Sequence, residues 1–160
     1  MAKFNLADYE PVEERIQRFR RDHEQGRIET SLITFDGEHG ATRWVVKAAV
    51  YRNAEEPPCG EGHAFEKDGT GMANNTSALE NAETSAVGRA LAQAGYAGSR
   101  RVTQEEMAKV LIGELNGRVK SANSTGELNE IWEEAKANSV LNEMKAVILE
   151  RGEALKKAGE

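Results

Sequence analysis

The sequence predicts an α+β fold: a three-stranded antiparallel sheet covered by an Ala-rich helix, in a helix-β-β-β-helix core, followed by a C-terminal helical appendage. Three observations predict it. The apolar period is helical near the N-terminus, turns extended and β-branched between residues 27 and 67, and is helical again from residue 77. The extended runs follow one another through short turn-rich connections, which favours antiparallel pairing. Three Ser/Thr-x-x-Glu pairs, Ser77/Glu80, Thr103/Glu106 and Ser124/Glu127, mark helix starts after the sheet.

The first helix spans 11–23. Val12, Ile16 and Phe19 share one face, and Pro11 suits the first turn, where an N–H has no partner anyway. Glu13 and Glu14 lie at the positive end of the helix dipole, Arg20 and Arg21 at the negative end, and Gly26 is a stop. Residues 27–35 form the first strand and 43–52 the second, joined by the turn chemistry of Asp36-Gly37-Glu38-His39-Gly40. Pro57-Pro58 interrupts the sheet, and a third strand follows at 61–67. Helices are expected at 77–94, 104–121, 126–137 and 140–157, with Asn138-Ser139 as a corner. The expected domains are an α+β core, 1–101, and a helical C-terminal region, 102–160, that serves oligomerisation or partner docking.

Lys and Arg number 21 against 27 Asp and Glu, a formal net charge of −6 over 160 residues. That excludes a generic polycation that grips duplex DNA by bulk charge, and it leaves room for a local basic groove. The acidic excess is greatest after residue 122, whereas residues 101–122 are slightly basic. No apolar run spans a bilayer, the N-terminus lacks a signal-peptide pattern, and the single cysteine, Cys59, forms no internal disulfide framework. These features point to an intracellular protein with no membrane partner, in the host cytoplasm if phage-encoded.

Strand 43–52 holds the most chemistry. Trp44, Val46, Ala48 and Val50 alternate onto a core face. Arg43, Val45, Lys47, Ala49 and Tyr51 alternate onto the other, with Arg52 at its end. Cations pair with phosphates and rings stack on bases, a combination that suits single-stranded nucleic acid. Taken alone, an ordinary solvated sheet face is the simpler account. Arg100-Arg101, after a Gly-rich turn, could follow a phosphate backbone, and Lys109 continues the positive bias. In helix 77–94, Glu80 shares a face with Thr84, and Ser85 with Arg89. A ligand-facing stripe and a plain surface helix account for that helix equally well.

Enzyme readings find little support. Cys59 and His63 lack the further ligands of a zinc site, and no base lies near Cys59 in sequence. Gly60-Glu61-Gly62 and Gly69-Thr70-Gly71 lack the Lys-Ser/Thr of a phosphate-binding loop. Glu61, Glu66, Asp68, Glu80 and Glu83 could gather around Mg²⁺ in a nuclease, a minor alternative that substitution of Glu61 or Glu66 would test. No catalytic residue, metal or cofactor is expected.

The run Ser77-Ala-Leu-Glu-Asn-Ala-Glu-Thr-Ser-Ala-Val-Gly-Arg-Ala-Leu91, closing on Gly95-Tyr96, resembles a helix of bacteriophage single-strand DNA-binding and annealing proteins of the Erf-like type. Trp44-Val-Val-Lys-Ala48 resembles that group's hairpin, and the likeness covers roughly residues 8–110. The Glu127-Leu-x-x-Ile-Trp-x-x-Ala135 pattern resembles the helical tails of actinobacterial phage proteins. The resemblance implies a β-β-β-α core that binds single-stranded DNA between sheet and helix. It also implies homo-oligomers, replication or recombination proteins as partners, and no nucleotide hydrolysis. By position, Thr84, Ser85 and Arg89 belong to the signature helix and Arg43 and Lys47 to the hairpin. The chain departs from the group in being acidic and without an extended basic tail, so single-strand binding is the firmer expectation and annealing the weaker.

The resulting expectation is a non-catalytic single-stranded DNA-binding protein. Arg43, Lys47, Arg100 and Arg101 would meet phosphates. Tyr51 or Trp44 would stack on bases, and Arg89 would line the groove. The rival is an assembly module built on Leu128, Ile131 and Trp132.

Overall fold

A computed structural model describes residues 5–70, 74, 77–98 and 102–158. After a short 3-10 turn at Leu6–Asp8, the order is α1 (Val12–Asp22), β1 (Arg27–Asp36), β2 (Arg43–Tyr51), β3 (Gly60–Lys67), α2 (Ala78–Leu91), α3 (Gln104–Ser121), α4 (Thr125–Ala137) and α5 (Leu141–Ala158). This is the predicted α+β order, and the strands form one antiparallel sheet in the order β1-β2-β3. The chain divides into two compact units, Asp8–Glu106 and Met107–Glu160 together with residues 1–7.

In the α+β unit, α2 packs on one face of the sheet. Val46, Ala48 and Val50 of β2 and Ala64 of β3 are buried against Ala82, Ala86, Ala90 and Leu91. The alanines recur every four residues, so one side of α2 carries nothing larger than a methyl group. β3 answers with glycine. A Cβ at Gly60 would collide with the Ala90 carbonyl oxygen, and one at Gly62 with that of Ala86. Helix and strand therefore meet backbone to backbone, and the Gly-x-Gly is a packing device. The groove between sheet and helix that the resemblance implies has no room at this β3–α2 crossing, and a depression between sheet and helix lies instead beside β1, lined by Thr30, Glu83, Thr84 and Val87.

Beside α2, α1 adds Val12 and Phe19 to the core. Its Arg15 is fully buried. The guanidinium donates to the carbonyls of Gly88 (3.2 Å) and Val102 (3.2 Å) and pairs with Glu10 (3.3 Å). A buried cation is tolerated only when it is paired and hydrogen-bonded, and this one is. The Val12 N–H, free at the start of α1, donates to Glu105 (3.0 Å).

Helix starts vary. Thr103 and Glu106 form the reciprocal box, with bonds of 3.3 and 3.2 Å. At Ser124, the hydroxyl accepts from the Glu127 N–H (3.2 Å), while the Glu127 carboxylate turns to the Asn123 N–H (2.8 Å). Ser77 makes no side-chain cap bond, because its backbone (φ −137°, ψ 24°) is not extended as that of Ser124 is (ψ 156°). The helix expected to run to residue 94 is α-helical to Leu91 and continues as a π-turn, Ala92–Tyr96, with Gly95 at φ 99° inside it.

In the helical unit, Leu111, Leu115, Val119, Leu128, Ile131, Met144 and Ile148 form the core. Leu128 and Ile131 are thus used internally, while the partly buried Trp132 packs against them and borders a depression with Leu149. The corner falls at Asn138-Ser139 as expected, with Ser139 at φ 59° and the Asn138 amide bonded to the Glu134 carbonyl (3.0 Å). Among the described residues no helix is long and apolar enough to cross a membrane.

Candidate nucleic-acid interface

The face of the sheet opposite α2 is open. Antiparallel register assembles it row by row: Arg27 beside Tyr51, Glu29–Ala49–Glu61, Ser31–Lys47–His63, Thr34–Val45–Phe65 and Asp36–Arg43–Lys67. The predicted split of β2 holds, with Val46, Ala48 and Val50 inward and Arg43, Lys47 and Tyr51 outward.

The outward residues do not stand alone. The Arg27 guanidinium lies over the Tyr51 ring, 4.1 Å from its centroid. The Arg43 guanidinium lies over the Phe65 ring at 4.8 Å, and Phe65 is 60% exposed. Each such pair at an exposed site contributes about 0.5–1 kcal/mol. Between them Lys47 pairs with Glu61. The two cation–ring pairs sit about 20 Å apart along β2, at roughly 3.3 Å per residue. Cations and aromatic rings therefore alternate across one surface, and cations outnumber carboxylates on it.

The remaining candidates fall elsewhere. Trp44 lies on the helix side, half-buried, stacked on Phe35 (5.6 Å between centroids) and donating its indole N–H to Asp68 (2.9 Å). It borders a depression of about 610 Å³ between the β1–β2 loop and the start of α2. Thr84 donates its hydroxyl back to the Glu80 carbonyl (3.0 Å), and Ser85 is buried, 4% exposed. Ser85 and Arg89 therefore share no open stripe. Arg89 is a clamp: it pairs with Glu106 (2.9 Å) and donates to the His63 carbonyl (2.9 Å). Arg52 is exposed just beyond β2. Lys109 belongs to the helical unit, on α3. Arg100 and Arg101 lie outside the described residues.

Glu61 and Glu66 lie on opposite faces of β3. Glu61 pairs with Lys47, and Glu66 accepts from the Asn74 amide (2.7 Å). Among the described residues no cluster of His, Cys, Asp or Glu could hold a metal ion.

Sequence reasoning missed Arg27 and Phe65. Alternation within β3 would have placed Phe65 outward, but only the register puts it under Arg43 and puts Arg27 beside Tyr51.

Residues 16–94 match the family model described as Slr1353 N-terminal dsRNA-binding domain-like. The matched segment runs from within α1 through the sheet and α2 into the π-turn, so it contains the whole open face. It is similar to a nucleic-acid-binding-like domain. No curated protein and no solved structure matches the chain.

Proposed function

We propose that the α+β unit binds single-stranded nucleic acid without catalysis, on the open face of its sheet. The observation that carries this is the pair of cation–ring stacks, Arg27/Tyr51 and Arg43/Phe65. A base can slide onto each ring while the displaced guanidinium takes a phosphate. The match of residues 16–94 supports nucleic acid as the ligand class. The resemblance of the 77–91 run to phage annealing proteins makes single-stranded DNA the preferred form. On that reading the setting is phage DNA replication or recombination, and strand annealing is the further activity to assay. Arg100 and Arg101 join this reading by sequence alone.

The test is fluorescence anisotropy with a single-stranded oligonucleotide at two salt concentrations. Affinity is expected to fall with salt at a slope near −0.7 per phosphate contacted. Tyr51→Ala and Phe65→Ala are each expected to weaken binding by about 1–3 kcal/mol, the worth of one stacked base. No binding at low salt overturns the reading. The family description favours a second reading, double-stranded RNA. Such ligands are held by shape and by 2′-OH and phosphate contacts over about 16 bp, without base stacking. An RNA duplex that binds tightly, with Tyr51→Ala and Phe65→Ala neutral, selects that second reading.

A further inference from the structure

The sheet has two edge strands. On β3, the Glu61 N–H donates to the Gln93 side chain (2.6 Å), and the His63 carbonyl accepts from Arg89 (2.9 Å). Side chains from α2 and the π-turn thus occupy that edge. Among the described residues, no hydrogen bond reaches the backbone groups of β1 turned away from β2. The strand is ten residues long, contains no Lys or Pro, and leaves Leu32 48%, Ile33 54% and Phe35 60% exposed. Such an edge is a template for another strand unless it is guarded.

We infer that the β1 edge pairs with β1 of a second copy of this chain about a two-fold axis. The sequence of β1 is self-complementary once its bulge is counted. Pairing with β2 skips Ile33, so the open face is Arg27, Glu29 and Ser31 before it and Thr34 and Asp36 after it. Place Ser31 on the axis and skip Ile33 in both copies. Thr30 then meets Leu32 of the second copy, Glu29 meets Thr34, Ile28 meets Phe35, and Arg27 meets Asp36. Every pair lies on a common face. Ile28 and Phe35 are both on the helix side, and Arg27 and Asp36 are both on the open side. No like charges oppose one another, and a salt bridge closes each end. That charge complementarity selects a second copy over an unrelated strand, which would share only the backbone bonds. The axis is normal to the sheet, so two open faces join on one side of a six-stranded sheet.

Sedimentation of the full chain over a range of concentrations tests this, with Asp36→Arg, Arg27→Asp and the double exchange. The wild type is expected to dimerise. Each single variant sets like charges opposite one another twice per dimer and is expected to raise the dissociation constant about tenfold. The double exchange restores opposite charges and is expected to recover most of the loss. A monomeric wild type overturns the inference. So does a dimer indifferent to Asp36→Arg, as association through residues 107–158 would give, or a double exchange as weak as the single variants. Should a variant fail to fold by circular dichroism, amide exchange on the wild type decides. Protection at residues 30–34 that grows with protein concentration supports the pairing, and its absence overturns it.

Discussion

The two edges of the sheet face the same physical problem and meet it differently. Beyond the Ala-rich stripe, α2 sends Arg89 over β3, the π-turn adds Gln93, and the outward Glu61 N–H and His63 carbonyl are satisfied within the chain. β1 lies on the far side of β2, where neither side chain reaches, and most of its residues stay exposed. The difference traces to side-chain size. Gly60 and Gly62 bring α2 close enough for its long polar residues to overhang β3, whereas β1 carries no glycine and meets α2 through side chains, as in the bond from the Thr30 hydroxyl to Glu83 (2.9 Å). An edge is thus protected where helix contact is tight.

The largest way to break this contrast is Gly62→Val. The added side chain meets the Ala86 carbonyl and pushes α2 off β3. A loss of about 3 kcal/mol in urea unfolding is expected, the upper end for overpacking. Next is Arg89→Ala combined with Gln93→Ala, which leaves α2 seated and strips the β3 edge. Exposed backbone recovers water, so the cost is about 1–2 kcal/mol. The chain then has two free edges, and sedimentation should show assemblies larger than a dimer. Smaller still is Leu32→Lys, which puts on β1 the guard it lacks. Stability is expected to move by less than about 0.5 kcal/mol at this half-exposed site, while self-association is lost.

The smallest effect concerns the π-turn that carries Gln93. Burial raises the Tyr96 hydroxyl pKa above its ordinary 10.0, and its hydrogen bond to Asp22 (3.1 Å) adds to the rise. The folded state therefore favours the neutral phenol. Its contribution to stability is complete below pH 10 and is lost as pH climbs through the raised value. Tyr96→Phe should show a shallower fall of melting temperature above pH 10 than the wild type.

Most of the architecture was legible because each boundary carries its own chemistry. Pro11 opens α1, Gly37 and Gly40 supply positive φ in the β1–β2 loop, and the four-residue alanine spacing of α2 names the face that packs. Long-range partners were not legible. Arg15 falls on the apolar side of α1, three residues from Val12 and four from Phe19, but its hydrogen-bond partners are carbonyls 73 and 87 residues away. Ser77 carries the same local pattern as Thr103, yet its cap bond does not form, since the pattern offers an acceptor and the backbone angle decides whether it is taken. In the interface, Lys47 and Tyr51 could be read from alternation within one strand. Arg27 and Phe65 needed the register between strands, which a hairpin loop longer than a tight turn does not fix in advance.

The closure of α1 also bears on how the chain is made. Val12 waits for Glu105, 93 residues downstream, and Arg15 waits for the carbonyls of Gly88 and Val102. At about 5–20 residues per second, a ribosome releases α1 roughly 5–20 s before those acceptors emerge. Until then the guanidinium has no buried site to enter, and α1 cannot settle beside α2. α1 is therefore sealed only after α2 and the segment that carries Val102 and Glu105 have emerged.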